Sequence, residues 1–333
     1  MLNKSLKLNQ KLFNDDVEQV PIRKGFGEGL LEAGKTNESI VALCADLSES
    51  TQMHFFKEAF PHRFLEMGVA EQNLVTVASG MAAMGKIPFV SSYAMFSPGR
   101  NWEQIRTTIT YNNCKVIIVG SHAGISVGPD GGTHQAIEDL ALMRVLPNLV
   151  VVSPCDAIEA KKATLALASN ENTKPAYLRL AREKTPIMTT NDTPFELGKA
   201  MIMYRPDGIA HVGIIATGAL VHKALLAAKK LEKSGIKAVV MNIHTIKPLD
   251  VQAIIALARE TKAIVTVEEH QIAGGLGSAV AETLAQHLPT PIEFIGVHDT
   301  YGQSGKPEEL LKHYKMDEES IVLAAKKVTE RRS

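Results

Sequence analysis

The chain has 333 residues, beyond the size at which a single hydrophobic core usually stops growing, so two domains of roughly 150 residues each are expected. Apolar residues make up 45% and charged residues 22%, and no apolar run reaches the roughly 18 residues of a membrane span, so neither a membrane partner nor a disordered chain is expected. Thirty-six Lys and Arg balance thirty-six Asp and Glu, and no basic stripe with interleaved aromatics appears, which argues against nucleic acid as a partner.

Residues 1 to 20 are polar and aperiodic and read as a loosely ordered N-terminal arm. After Pro21 a helix is expected, followed by apolar runs that alternate with helical patterns. Val41–Leu47, Arg63–Met67, Ile87–Tyr93, Lys115–Ser121, Asn148–Ser153 and Ala176–Ala181 read as short strands buried on both faces, with a long helix over Ala70–Met84. The aperiodic stretch Glu183–Lys199, rich in threonine, reads as a linker. Beyond it, His211–Ala216, Lys237–Asn242, Ala263–Glu268 and Ile292–Val297 alternate with helices at Gly218–Ser234, Asp250–Glu260 and Leu276–His287. The fold class is therefore α/β, with two Rossmann-like domains built on mostly parallel sheets, over 21–190 and 191–333. The three cysteines Cys44, Cys114 and Cys155 form no CxxC pair, and the first thirty residues lack a signal-peptide pattern, so a reducing cytoplasm is expected.

Four places in the first half carry candidate chemistry. Glu71, in GVAEQN, sits where a strand gives way to a helix; the helix dipole there favours a carboxylate, burial favours the protonated acid, and an ordinary first-turn glutamate fits equally. The segment Ser121–Leu140 runs from a strand into a loop with four glycines that also holds His122, Asp130 and His134; backbone approaching a ligand closely would need such glycines. Those three side chains match no zinc spacing. Tyr93 and Phe96, just past a strand, serve either the core or a stacked flat heterocycle. Arg23, Ser50 and Arg182, dispersed at strand and helix ends, either grip an anion or are simply solvated. In the second half, GGLG between a strand and a helix fits either a phosphate turn or close packing of helix on sheet.

Together, GVAEQN, the Tyr93–Phe96 segment, GISVGPDGGTHQ, LMRVLPNLVVVSPCD and YLRLAR resemble, in order and spacing, the transketolase family over about residues 20 to 333. The resemblance is to its pyrimidine-binding and C-terminal domains. It implies thiamine diphosphate as cofactor, with Glu71 bonding a ring nitrogen of the aminopyrimidine to favour the imino tautomer, Tyr93 and Phe96 stacking on that ring, and Asp46 near the cofactor. It also implies that His122, Asp130 and His134 line the donor channel, the histidines binding hydroxyls or shuttling protons, while Arg23, Ser50 and Arg182 grip a sugar phosphate. Gly99 stands where many members carry a further aromatic residue. The family's diphosphate domain, with its GDG motif and its Mg2+ (or Ca2+ or Mn2+), has no counterpart in this sequence, and no metal ligands are assigned here. The resemblance thus implies one subunit of a split transketolase, active only with a diphosphate-domain subunit, in an α2β2 assembly with an apolar face exposed on the free chain. A 1-deoxyxylulose-5-phosphate synthase, the beta subunit of a 2-oxo-acid dehydrogenase and a non-catalytic regulatory subunit stay open at this point.

Overall fold

The computed structural model describes residues 1–332. The first half runs β1 (Gln19–Pro21), α1 (Ile22–Thr36), β2 (Ile40–Cys44), α2 (His54–Ala59), β3 (Phe64–Glu66), α3 (Glu71–Ala83), β4 (Ile87–Tyr93), α4 (Trp102–Gln104, continued as a π-helical stretch over Ile105–Thr110), β5 (Ile117–Ser121), α5 (Asp139–Arg144), β6 (Val150–Val152), α6 (Ala157–Ala168), β7 (Ala176–Arg179) and β8 (Lys184–Pro186). The second continues with β9 (Met201–Tyr204), β10 (Val212–Ala216), α7 (Val221–Lys233), β11 (Ala238–Asn242), β12 (Thr245–Lys247), α8 (Val251–Thr261), β13 (Ile264–Gln271), α9 (Leu276–His287), β14 (Ile292–Val297), α10 (Pro307–His313) and α11 (Glu318–Thr329).

Two open sheets result. One has seven strands in the order β12-β6-β7-β5-β4-β2-β3, the other five in the order β14-β13-β10-β11-β9. Within these two sheets every pairing is parallel except those of the edge strands β12 and β9. Strands such as β2, β5, β10 and β11 are buried along their whole length, because helices cover both sheet faces; this is why they read as continuous apolar runs rather than alternating ones.

The two sheets share packing. One apolar cluster joins Val41, Leu43, Ile118 and Val151 of the first to Ile215, Val239, Met241 and Ile264 of the second. β12 follows β11 in the chain yet pairs with β6, extending the first sheet. The stretch read as a linker includes β8, which pairs antiparallel with β1. Nor is the N-terminal arm loose: Leu8 and Leu12 are buried in the core of the second domain, and Asn3 N–H donates to Met203 O at 2.9 Å. Its polar sequence hides two leucines whose partners lie about 200 residues away, beyond the reach of any local pattern.

Candidate active site

Open α/β sheets bind ligands beyond the carboxyl ends of their strands. All the sequence-derived candidates reach that edge of the seven-stranded sheet: Asp46 and Ser50 after β2, Glu71 after β3, Tyr93 and Phe96 at the end of β4, His122, Asp130 and His134 after β5, and Arg182 after β7. Arg23 joins them from the first turn of α1.

Glu71 is the first residue of α3 and only 3% exposed. Its carboxylate accepts from Arg100 Nη1 at 3.3 Å (Oε1) and 3.2 Å (Oε2), and from Ser92 Oγ at 3.3 Å. Its carbonyl accepts from Asn101 Nδ2 at 2.9 Å, while Asn101 Oδ1 is buried without a partner. Beside it the rings of Tyr93 and Phe96 lie near-parallel, centroids 6.1 Å apart, and His134 meets the edge of Phe96 at 5.3 Å. A buried carboxylate, an orphan amide oxygen and two aromatic faces form a donor–acceptor set that fits an aminopyrimidine, which offers a ring nitrogen, an exocyclic amine and a π-face. A metal finds no equivalent: among the described residues no group of three or more His, Cys, Asp or Glu is placed to hold one.

His122 stacks on Tyr93, ring centroids 4.0 Å apart. Arg23 Nη1 donates to its Nε2 at 2.8 Å, and Ser121 Oγ lies 2.9 Å from its Nδ1. Because a guanidinium only donates, Nε2 carries no proton and Nδ1–H faces Ser121. Burial, then the charges of Arg23 and Arg182, push the imidazole down to about 3, so it is neutral at physiological pH. Its backbone is left-handed, φ 56°, a strained state for histidine that the surrounding contacts enforce. Burial and the nearby charge of Arg182 also push Arg23 below its ordinary value, and its Nε is buried without a partner, an orphan donor that an anionic oxygen would satisfy. Arg182 Nη1 donates to Val127 O at 2.5 Å, which ties the arginine to the β5 loop.

The other candidates sit at the margin. Asp46 is exposed, with its N–H donating to Glu66 Oε1 at 2.7 Å, and its side chain makes no hydrogen bond among the described residues; the same holds for half-buried Ser50 and exposed Asp130. The glycines of the β5 loop receive a different explanation from close approach to a ligand. A Cβ on Gly124 would fall 2.5 Å from the Glu269 carboxyl, one on Gly132 would fall 2.7 Å from Gly302 O, and one on Gly131 2.5 Å from Ser304 Oγ. They let the second domain press against the loop, and Gln135 Nε2 locks it by donating to Ile125 O and Gln303 O. The GGLG turn is also accounted for internally: Leu276 and Gly277 N–H both donate at 2.7 Å to Glu268, whose carboxylate fills the N-terminus of α9.

Arg100, Ser92 and Asn101 escaped the sequence reading. The signal was present in SPGRN, a turn that delivers an arginine straight after the aromatic segment, but its partner Glu71 lies 29 residues earlier on another element.

The arrangement is a buried carboxylate beside two aromatic rings, with arginines nearby, at the edge of a doubly wound domain. The chain matches the family models "Transketolase, pyrimidine binding domain" over residues 18–188 and "Transketolase, C-terminal domain" over residues 204–321. It is 45% identical over 312 residues to a transketolase C-terminal section of Methanocaldococcus jannaschii, covering 93% of this chain and 95% of the relative. It is 38% identical over 321 residues to a 6-deoxy-6-sulfo-D-fructose transketolase subunit of a Clostridium species, covering 96% and 98%. A solved structure described as a split gene transketolase, inactive beta4 tetramer, superposes with TM-score 0.87 at 43% identity, covering 94% of this chain and all (100%) of that one. The chain belongs to the transketolase family, as its C-terminal section.

Proposed function

We propose that this chain is the C-terminal subunit of a split, thiamine-diphosphate-dependent transketolase, moving a two-carbon ketol unit from a ketose phosphate to an aldose phosphate. The observation that carries the reading is the buried Glu71 carboxylate beside Tyr93 and Phe96. When bound, thiamine diphosphate supplies the carbanion chemistry of the transfer. This chain's part is to receive the aminopyrimidine: Glu71 holds a proton against its ring nitrogen, and the two aromatic rings fix its plane.

The channel residues act on the sugar. Neutral His122 accepts a hydroxyl or a water at Nε2 once Arg23 turns to an anion, and His134, half-buried on the edge of Phe96, is the better placed of the two histidines to move a proton. Arg23 and Arg182 are the phosphate grip, with Asp130 and Ser50 at the rim. Asp46 belongs to the cofactor side. The diphosphate and its Mg2+ fall to a partner subunit, in an α2β2 assembly; the exposed Val69 and Met84 at the two ends of α3, and Tyr111 after α4, are apolar surface for such contacts.

The sulfonated ketose in the Clostridium relative's name supports a second arm, an anionic sulfonate in place of the phosphate, since a guanidinium grips either. The test is ketol transfer by this chain mixed with a diphosphate-domain subunit, thiamine diphosphate and Mg2+, using xylulose 5-phosphate or 6-deoxy-6-sulfofructose as donor and ribose 5-phosphate as acceptor. Activity in the mixture that Glu71→Ala abolishes is expected; full activity of Glu71→Ala would refute the role given to Glu71.

A further inference from the structure

Arg100 makes two contacts at once. Its Nη1 lies 3.2 Å from Glu71 Oε2, and its guanidinium carbon sits 4.2 Å from the centroid of the Phe96 ring. It is the one cation paired with Glu71 among the described residues, and its side chain is 52% exposed against 3% for that of Glu71. The guanidinium therefore fills the space a flat heterocycle needs if it is to lie on Phe96 and bond to Glu71. Resting on the reading of Glu71 given above, we infer that Arg100 is the stand-in occupant of the pyrimidine seat: it closes the seat in the free chain and is displaced when the aminopyrimidine enters.

The physical reasons are independent of one another. A buried carboxylate left without a counterion is strongly destabilising, so a chain that folds without its cofactor needs a cation there. A guanidinium is planar and stacks on aromatic faces, so it can satisfy the carboxylate and the ring together, as the heterocycle does. Half its side chain lies in solvent, so moving it outward disturbs little packing. Lys cannot reproduce both contacts, since it lacks the plane.

Occupancy by Arg100 lowers the apparent affinity for the pyrimidine, because an apparent dissociation constant is the intrinsic one divided by the fraction of chains with the seat open. The probe is 4-amino-2,5-dimethylpyrimidine, titrated into the full chain and read by calorimetry and by the fluorescence of Trp102, the single tryptophan, two residues from Arg100. Arg100→Gln is expected to bind it about tenfold more tightly than the wild type, as for a seat open about a tenth of the time. Arg100→Lys should fall between. Unchanged or weaker binding by Arg100→Gln, with its circular dichroism spectrum intact, overturns the inference and makes Arg100 a part of the bound seat. If Arg100→Gln unfolds, the pair Glu71→Gln with Arg100→Gln supplies a folded background; in that background loss of the arginine must still tighten binding relative to Glu71→Gln alone, and failure to do so counts against the stand-in. Glu71→Ala separates the two readings: if it binds the probe as the wild type does, the Glu71 assignment fails, whatever Arg100 does.

Discussion

Arg179 binds Asp139 through two hydrogen bonds, Nε to Oδ2 at 2.7 Å and Nη2 to Oδ1 at 3.1 Å, and the same Nη2 donates to Glu269 O in the second domain at 2.8 Å. Both side chains are almost wholly buried. Burial alone would raise the Asp139 carboxyl, but the charge and hydrogen bonds of Arg179 outweigh it and hold the carboxyl below its ordinary value. The pair is thus a fully satisfied ionic joint between the start of α5, the end of β7 and β13.

Arg179→Met leaves Asp139 charged and uncompensated. A loss of about 3–5 kcal/mol is expected from such a cut, readable in urea unfolding of the purified chain. Asp139→Asn with Arg179→Met should recover part of that loss, since it removes the stranded charge; no recovery would mean that the joint acts through shape alone.

Arg23→Gln tests the state of His122. With the guanidinium gone, the imidazole should titrate above about 3 yet stay below 6.5, because burial, the largest cause, remains. Imidazole proton shifts followed by NMR against pH give the midpoint. Under the proposed function the same variant should raise KM for the phosphorylated donor more than it lowers kcat.

Glu159 gives a pH dependence of the opposite sense. Its carboxyl accepts from Asn242 Nδ2 at 2.8 Å and from Cys155 N at 2.6 Å, and burial, then the charge of Asp156, pushes it from 4.5 up to about 7. Asn242 Oδ1 is a buried acceptor without a donor, a place for the proton once the Asn242 amide turns. The folded state therefore binds the proton more tightly than the unfolded chain, and the stability this contributes is full below pH 4.5 and is lost as pH rises through about 7. Glu159→Gln should not show that loss: its melting temperature relative to the wild type should climb between pH 5 and pH 8, and a constant difference would refute the assignment.

Two glycine substitutions should move stability in opposite directions. Gly124→Ala meets the Glu269 carboxyl at 2.5 Å with φ at +92°, so it should destabilise by more than the roughly 1 kcal/mol of a simple glycine effect. Gly80→Ala lies inside α3 with nothing within 4 Å, and a gain of roughly 0.5–1 kcal/mol is expected. Thermal melts of the two variants decide both.

The parallel strands were legible because burial on both faces writes itself as an unbroken apolar run, and strands such as β4 and β14 match their sequence bounds. The edge strands β9 and β12 were not, since each is short and runs antiparallel to a neighbour that local periodicity cannot reveal. In the site, the positions at strand ends were readable from alternation alone. The meaning of their contacts was not: the loop glycines face the second domain's 302–304 stretch, and Glu268 serves its own helix turn, relations set by tertiary packing. Arg100 was missed for the same reason, as a loop residue gains its significance only when β4 lies beside β2, β2 beside β3, and α3 starts within its reach.

The pairing of β12 with β6 bears on how this chain comes apart. Thr245 and Lys247 donate a strand from one half of the sequence to the sheet of the other, next to the buried bond from Ser153 N–H to His244 O at 2.7 Å. Residues 21–190 alone would expose β6 as a bare sticky edge, open to the next copy. The two halves are therefore mechanically spliced rather than tethered: pulling on the termini or heating the chain should break both sheets in a single event, and separately expressed halves should each aggregate.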